Sequence, residues 1–383
     1  MKFIDKDLKA VQEARVLMEE AAEAKKTLAL FEQKKLNRIA ACMMDALELK
    51  LEQLTEEAVR ETGYGDAKDQ LLQAKLLIKK MRKTLEPMKC VGVLSTDEAQ
   101  GVLEIGVPMG VIAAAAPAVS PVAAVLSAAV CAVKSGNAIV FAPHPRAVKT
   151  TVRTVHILEE AALEAGLVRG ALSCSETAAK EGAIELLSHP ETNLILNIGE
   201  RPLLEACSRT GCPVLYGGIA PGPVFIEKTA DISRAAACIT DSRGFNCGTG
   251  AGSEQYVVAD RQIAAQVKEE LIRHGAYFMT ETEQKQLTAF LGLEKGTGLP
   301  DKEFIGKTAA WLAQKAGFAV PEHTKVLVSE QSYITDFNPY AKGLLCPVLA
   351  FYIEEDWIHA CEKCIELLVG ESRGNTLTIH SQD

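Results

Sequence analysis

Positive charge is in short supply in this chain. Its 41 Lys and Arg face 50 Asp and Glu, for a net charge of −9 at pH 7. No basic stripe offsets that balance, so a nucleic-acid partner is excluded as a working reading. The start, "MKFIDKDLKAVQEAR", is charged throughout and lacks the apolar core of a secretory signal. Only residues 111–133, "VIAAAAPAVSPVAAVLSAAVCAV", form a long apolar run. Pro117, Ser120 and Pro121 divide that run into a strand and a helix, which points to a buried core and not a membrane span. No repeat or low-complexity linker is present.

Several motifs are also missing. No HExxH or GxSxG occurs. Gly248, Gly250 and Gly252 suggest a phosphate loop, but Ser253 stands where the dinucleotide fingerprint continues. "DKEFIGKT" imitates a P-loop, yet its first glycine falls on Asp301. Cys361 and Cys364 form a CxxC without a second pair, so no metal is expected. Eleven cysteines in 383 residues are not a disulfide scaffold. Cys42, Cys131, Cys207 and Cys238 sit in apolar helical patterns as small hydrophobes, and reduced thiols imply a cytoplasmic location.

What is there is an ordinary globular composition, 48% hydrophobic and 24% charged, long enough for two or three domains. Helices are expected over 5–34, 35–62 and 67–86. From residue 102 apolar strands alternate with helices through "PVLYGG". A second such run begins near residue 223 and ends on "NTLTIHSQD". Alternation of this kind predicts parallel sheets covered on both faces, an α/β chain of two doubly wound domains. We set the division at 1–228 and 229–383.

The stretches "ETGYGDAKDQ", "EIGVPMGVIAAAAPAVSP", "GNAIVFAPHPRA", "FIEKTADISRAA", "FNCGTGAGSEQ" and "CPVLAFYIEED" occur in one order across nearly the whole chain. Together they resemble the CoA-acylating branch of the aldehyde dehydrogenase superfamily. The resemblance implies an aldehyde dehydrogenase-like fold, with a nicotinamide-binding domain, a catalytic domain and an oligomerising β-flap. It also implies a reaction in which a cysteine thiolate attacks an aldehyde, NAD(P) takes hydride and CoA receives the acyl group.

Such chemistry needs a nucleophile, oxyanion donors and cofactor contacts, and this chain departs from the family pattern at each. Phe245, Gly248, Ser253, Glu254 and Gln255 align the loop without a gap, which puts Ala251 at the nucleophile position. Cys247, four residues upstream and up to ~13 Å away along extended chain, is the alternative nucleophile or simply a small buried loop residue. Ser120 occupies the family's oxyanion asparagine position; its other reading is a helix N-cap followed by Pro121. Gly343 stands where a glutamate holds the nicotinamide ribose. "NIGER" keeps Gly199 but loses its neighbours, and "GIAP" from Gly218 replaces another glycine-rich turn. "FAPHPRA" is complete, so Pro143, His144 and Arg146 line an adenosine or CoA end, unless His144 and Arg146 are a solvated pair. The family's closing C-terminal segment is expected to be lacking.

The expected function follows from these departures. The chain is an acylating aldehyde dehydrogenase homologue with impaired turnover, a pseudoenzyme that binds NAD(P) and CoA weakly or not at all. Two alternatives stay open: an active enzyme using Cys247, and a non-catalytic partner of an active paralogue. A small aldehyde or acyl-CoA is the implied ligand, and a homo-oligomer or a complex with a paralogue is the implied assembly.

Overall fold

The structure, a computed structural model, describes residues 5–292, 302–334, 338–370 and 376–383. Asp301, and Asn375 at the start of the last expected strand, lie outside the described residues. The chain folds into two compact units. The first runs to Gly63 and resumes over Ala67–Gly218; the second comprises Tyr64–Asp66 and the chain from Ile219. The division thus falls at Gly218, where the sequence reading had set it at 228/229. The strand over 222–226 explains the difference, because it pairs in the second sheet.

In the first unit, helices α1 (Lys6–Leu28), α2 (Gln33–Glu48), α3 (Leu51–Thr62) and α4 (Ala67–Leu85) precede the sheet. The single helix expected over 35–62 is two, broken at Leu49 and Lys50. Leu47, Leu51 and Leu54 are all buried, so the apolar spacing runs across the break and conceals it. Next comes a hairpin: β1 (Gly92–Asp97), which the sequence reading missed, pairs antiparallel with β2 (Val102–Gly106), which lies at the start of the stretch expected to form strands from residue 102. Its strands are almost wholly exposed, with no buried face to produce a readable alternation.

The sheet itself uses β3 (Val111–Ala115), β4 (Ala138–Ala142), β5 (Leu172–Cys174), β6 (Thr192–Asn197) and β7 (Val214–Tyr216). Every pairing is parallel, in the order β5-β4-β3-β6-β7. Helices α5 (Pro121–Lys134), α6 (Val148–Glu164), α7 (Lys180–Ser188) and α8 (Leu204–Arg209) make the crossovers. All five residues of β3 and of β4 are buried, as a sheet covered on both faces requires. The strand order reverses between β3 and β6, so ligands are expected beyond the carboxyl ends of those strands. Ser120 follows β3 there, and Gly199 follows β6.

The second unit carries β8 (Gly222–Ile226), α9 (Ile232–Gly244), β9 (Glu254–Asp260), α10 (Ala264–Arg273), β10 (Ala276–Phe278) and α11 (Glu281–Phe290). It continues with α12 (Ala309–Ala316), β11 (Val326–Glu330), β12 (Val348–Glu354), α13 (Trp357–Val369) and β13 (Thr378–His380). These six strands are also all parallel, ordered β10-β11-β12-β9-β8-β13. Two doubly wound α/β units with parallel sheets are therefore observed. Two separate apolar clusters, one containing Tyr256, Leu327 and Tyr352 and the other Val224, Val257 and Phe351, form the core of this unit. Among the described residues no helix is long and apolar enough to cross a membrane.

Helix α1 lies close on α7. A Cβ built at Gly182 would stand 2.7 Å from the Ala10 Cβ and 3.0 Å from Ala10 backbone atoms. Gly182→Val is therefore expected to push the two helices apart and to cost about 2 kcal/mol, the usual scale of overpacking. Denaturant unfolding measures it; an unchanged midpoint would show that this contact has slack.

Candidate functional site

The loop between α9 and β9 is built around one buried cation. Arg243, in the last turn of α9, is 1% exposed and has no carboxylate among its guanidinium's partners in the described residues. Its Nε donates to the Val348 carbonyl at 3.0 Å, Nη1 to the Ser253 hydroxyl at 3.0 Å, and Nη2 to Gln255 Oε1 at 3.0 Å and the Leu344 carbonyl at 2.6 Å. Burial lowers its pKa to about 10, still charged at neutral pH. Gln255 extends the network: its Oε1 accepts from the Leu344 amide at 2.8 Å and its Nε2 donates to the Lys342 carbonyl at 2.6 Å. The segment around Gly343 is thus held on both sides, but Gly343 itself presents no side chain to a ribose.

Past Arg243 the chain makes a tight 3₁₀ turn, Phe245–Gly248. Asn246 is buried, and its side chain accepts from the Asp66 amide at 2.8 Å and donates to Thr249 Oγ1 at 2.6 Å. Gly248 has φ +73°, and a Cβ there would stand 2.3 Å from the Cys346 carbonyl carbon. No other residue fits that approach. Cys346 is fully buried, and desolvation pushes its thiol up to about 12, so it is no nucleophile.

Cys247 is partly exposed, which corrects its reading as a small buried residue. Ala251 is exposed, and its carbonyl accepts from the Ala220 amide at 2.9 Å, tying the "GIAP" turn to the loop. At the base of β9, Ser242 and Thr378 hydroxyls donate to the Glu254 carboxylate, Thr378 at 3.2 Å.

In the first unit Ser120 begins α5 with Pro121 at the first helical position, as expected. Its side chain makes no cap hydrogen bond, however, because the residue sits at φ 46°, ψ 52° and not in the extended geometry of a cap. Among the described residues, Ser120, Asn246 and Cys247 (φ 46°, 48° and 53°) are the non-glycine residues with positive φ. Left-handed backbone costs such residues roughly 1–2 kcal/mol each. All three lie in the segments that the resemblance assigns to the reaction centre.

Beyond β6, Asn197 is fully buried and closes the turn. Its Oδ1 accepts from the Glu200 amide at 2.8 Å and its Nδ2 donates to the Glu200 carbonyl at 3.0 Å. Gly199 is in that turn with φ 87°. Beyond β4, Pro143 is buried and His144 Nδ1 accepts from the Arg146 amide at 2.9 Å, so its proton rests on Nε2 in the neutral ring, 3.9 Å from Glu200. Arg146 is exposed while His144 is mostly covered, so they are not a solvated pair. A Cβ at Gly218 would collide with the Tyr216 ring.

The sequence reading missed Arg243, whose role depends on partners up to 105 residues away. It placed Cys131 and Cys238 as apolar packing residues, but both are exposed; they sit on the outer sides of α5 and α9. Cys361 and Cys364 lie on α13 as expected, and no cluster able to hold a metal occurs among the described residues.

Arg243→Lys keeps the charge but loses the planar fork, leaving carbonyls and Ser253 without donors. We expect a loss of about 3 kcal/mol of stability and faster amide exchange around residues 253–255 and 344–348. Exchange measured by mass spectrometry checks it; protection equal to wild type at those peptides would refute the role.

A family model described as the aldehyde dehydrogenase family matches residues 5–288. The bifunctional aldehyde-alcohol dehydrogenase of Escherichia coli is 31% identical over 372 residues, 97% of this chain and 41% of that protein. This chain therefore spans well under half the length of that relative. A solved probable aldehyde dehydrogenase from Listeria monocytogenes superposes with a TM-score of 0.95 at 37% identity, covering 99% of this chain and 83% of that one. An acetylating aldehyde dehydrogenase from Geobacillus thermoglucosidasius gives 0.94 at 34% identity, covering 100% and 84%. With its two parallel, doubly wound sheets and the loop ordered around Arg243, the chain belongs to the aldehyde dehydrogenase family.

Proposed function

We propose that this chain is an acylating aldehyde dehydrogenase homologue in which conversion of aldehyde, CoA and NAD to acyl-CoA and NADH is impaired. One observation carries the reading. Ala251 is exposed on a loop whose surrounding frame is complete, from Asn246 and Gly248 to Arg243, Ser253 and Gln255. A methyl group there cannot add to a carbonyl, however well the frame is kept. Ser120 offers one hydroxyl donor where the family uses an amide. A bound nicotinamide would accept hydride and CoA would accept the acyl group. Gly343 supplies no carboxylate for the nicotinamide ribose, whereas Pro143, His144 and Arg146 leave the adenosine end furnished, so weak cofactor binding is expected. The cytoplasmic placement rests on the thiol-rich composition alone.

A second reading is favoured by the backbone of Cys247. A partly exposed thiol held at φ 53° on a pinned turn is the type of strain that functional positions store. In that reading Cys247 takes the place of the missing thiol. Both readings are separated by assaying acyl-CoA formation from small aldehydes in the native chain, Cys247→Ala and Ala251→Cys. We expect near-background turnover in the first two and at least a tenfold rise in Ala251→Cys. Activity in the native chain that disappears in Cys247→Ala would overturn the first reading in favour of the second.

The hairpin supports an assembling role. Val93, Leu94, Val102, Leu103 and Ile105 are each between 42% and 57% exposed, and a two-stranded hairpin is marginal alone in water. We propose that it is covered by a second copy of this chain or by a paralogue. Val93 and Ile105 face each other across the strands, so Val93→Glu with Ile105→Glu is expected to convert a sedimenting oligomer to monomer at micromolar concentration. A native chain that already sediments as a monomer, alone and with an active paralogue, removes the assembly.

A further inference from the structure

The net charge of −9 hides a local exception. Helix α4 carries one acid, Asp69, and otherwise only basic charges. Arg82 is committed within the chain, to Asp45 at 2.7 Å and Glu48 at 2.8 Å. Lys75, Lys79, Lys80 and Lys83 are exposed and have no ion pair among the described residues. Leu72 and Leu76, 49% and 48% exposed, lie among them. At the helical period these six side chains share about 140° of arc, opposite the buried Ala74, Ile78 and Met81. The sequence reading found no basic stripe because these lysines alternate with the helix's buried positions.

Helix α13 is the counterpart. Its buried side holds Ala360, Cys364 and Leu367. Beside that side Ile358, Ile365 and Val369 are 50%, 59% and 73% exposed. Their spacing of seven and four residues makes them one apolar ridge. Glu362 and Glu366, both exposed, border the ridge toward solvent. Glu362 has no ion pair among the described residues, and Glu366 has only the Lys363 ammonium at 3.7 Å. His359 is held by Asp356 at 2.8 Å. Single exposed apolar residues are ordinary, but a ridge of them marks a partner site. Two copies of so acidic a chain repel one another over most of their surface, so a contact between them gains most where the charge sign differs. Among the four N-terminal helices, α4 presents that opposite sign beside exposed leucines.

We propose that α4 of one copy docks on α13 of a second copy. Leu72 and Leu76 meet Ile358, Ile365 and Val369, and the α4 lysines face Glu362 and Glu366. The two faces differ, so the contact is heterologous: two copies can exchange it, or further copies can extend it. It uses no residue of the hairpin and does not depend on the acyl-transfer reading. Two single-helix faces bury less than the ~1,200 Å² of a lasting interface. A dissociation constant on the order of 10⁻⁴ M is therefore expected, weaker than the hairpin association read at micromolar concentration.

The test is carbodiimide cross-linking, which joins touching amines and carboxylates, on whole chains at roughly 200 µM. Light and heavy-nitrogen-labelled chains are mixed equally, in the native form and with Val93→Glu and Ile105→Glu to remove the hairpin contact. Peptides joining residues 72–83 to residues 358–369 should appear with one light and one heavy partner in both forms. Lys75→Glu with Lys79→Glu should abolish them, and so should Glu362→Lys with Glu366→Lys. Mixing these two variants should restore them, because the charges are then exchanged, a rescue that loss of folding cannot produce. Thermal unfolding of each variant should match wild type, since all four side chains are exposed. Links confined to one label, links that survive the single variants, or failure of the rescue overturns the contact. A monomer without mixed-label links does the same. If that monomer pellets with phosphatidylserine vesicles and the α4 variant does not, the basic stripe serves an anionic surface instead. Mixed-label links in a chain whose Ala251→Cys variant stays inert leave this contact standing, so the two readings fail separately.

Discussion

One buried guanidinium organises the second unit. Arg243 reaches from the end of α9 to the start of β9, to Leu344 and to the first residue of β12. Removing a charge of this kind from water costs several kcal/mol, and the carbonyls and amide oxygen around it repay that cost only when all are in place. The arrangement is therefore cooperative. If the 253–255 segment moves, Arg243 loses two donors' worth of partners, and the segment around Gly343 loses its support through Gln255. The loop that the resemblance assigns to the nucleophile is held by this network.

The same loop stores strain. Asn246 and Cys247 occupy the left-handed region in succession, followed by Gly248 in close approach to Cys346. Asparagine tolerates that conformation because its short amide bonds locally, and here the amide bonds to Asp66 and Thr249. The backbone at Cys247 is held by its neighbours on both sides, which is how an unfavourable conformation persists at a functional position. Ser120 repeats the situation at the start of α5, where Pro121 accepts the first helical position and the serine before it bears the turn.

Much of this was legible in the sequence, and the parts that were not share a physical cause. Strands β3, β4 and β12 announce themselves as continuous apolar runs because both faces of each sheet are covered. Helix starts such as Asp231 before α9 and Asp356 before α13 carry readable capping residues. Strand β1, and with it the hairpin pairing, was invisible because its residues are exposed, so it has no two-residue alternation to read. Short elements such as β10 and α11 fell below the length at which periodicity decides anything. At the site, Ala251, Cys247 and Gly343 could be located by register against a resemblance, since the loop aligns without a gap. Arg243 could not, because a lone arginine at a helix end reads as a dipole-capping surface cation. Only the three-dimensional convergence of residues 253, 255, 344 and 348 reveals that it is interior.

That division between frame and exposed loop surface bears on which positions packing can hold. Arg243, Asn246, Gly248 and Gln255 are buried or in backbone contact, so replacing any of them costs folding energy whether or not the chain turns over substrate. Ala251 is exposed and Gly343 projects nothing into the core, so neither position has a folding duty to defend a particular side chain. Substitution at Ala251 changes stability by no more than an ordinary surface replacement. Preserved family segments such as "FNCGTGAGSEQ" therefore testify to the packing around the loop. Ser120 stands between the two classes: buried and left-handed, it is constrained in backbone. The fold demands there a residue that accepts that turn.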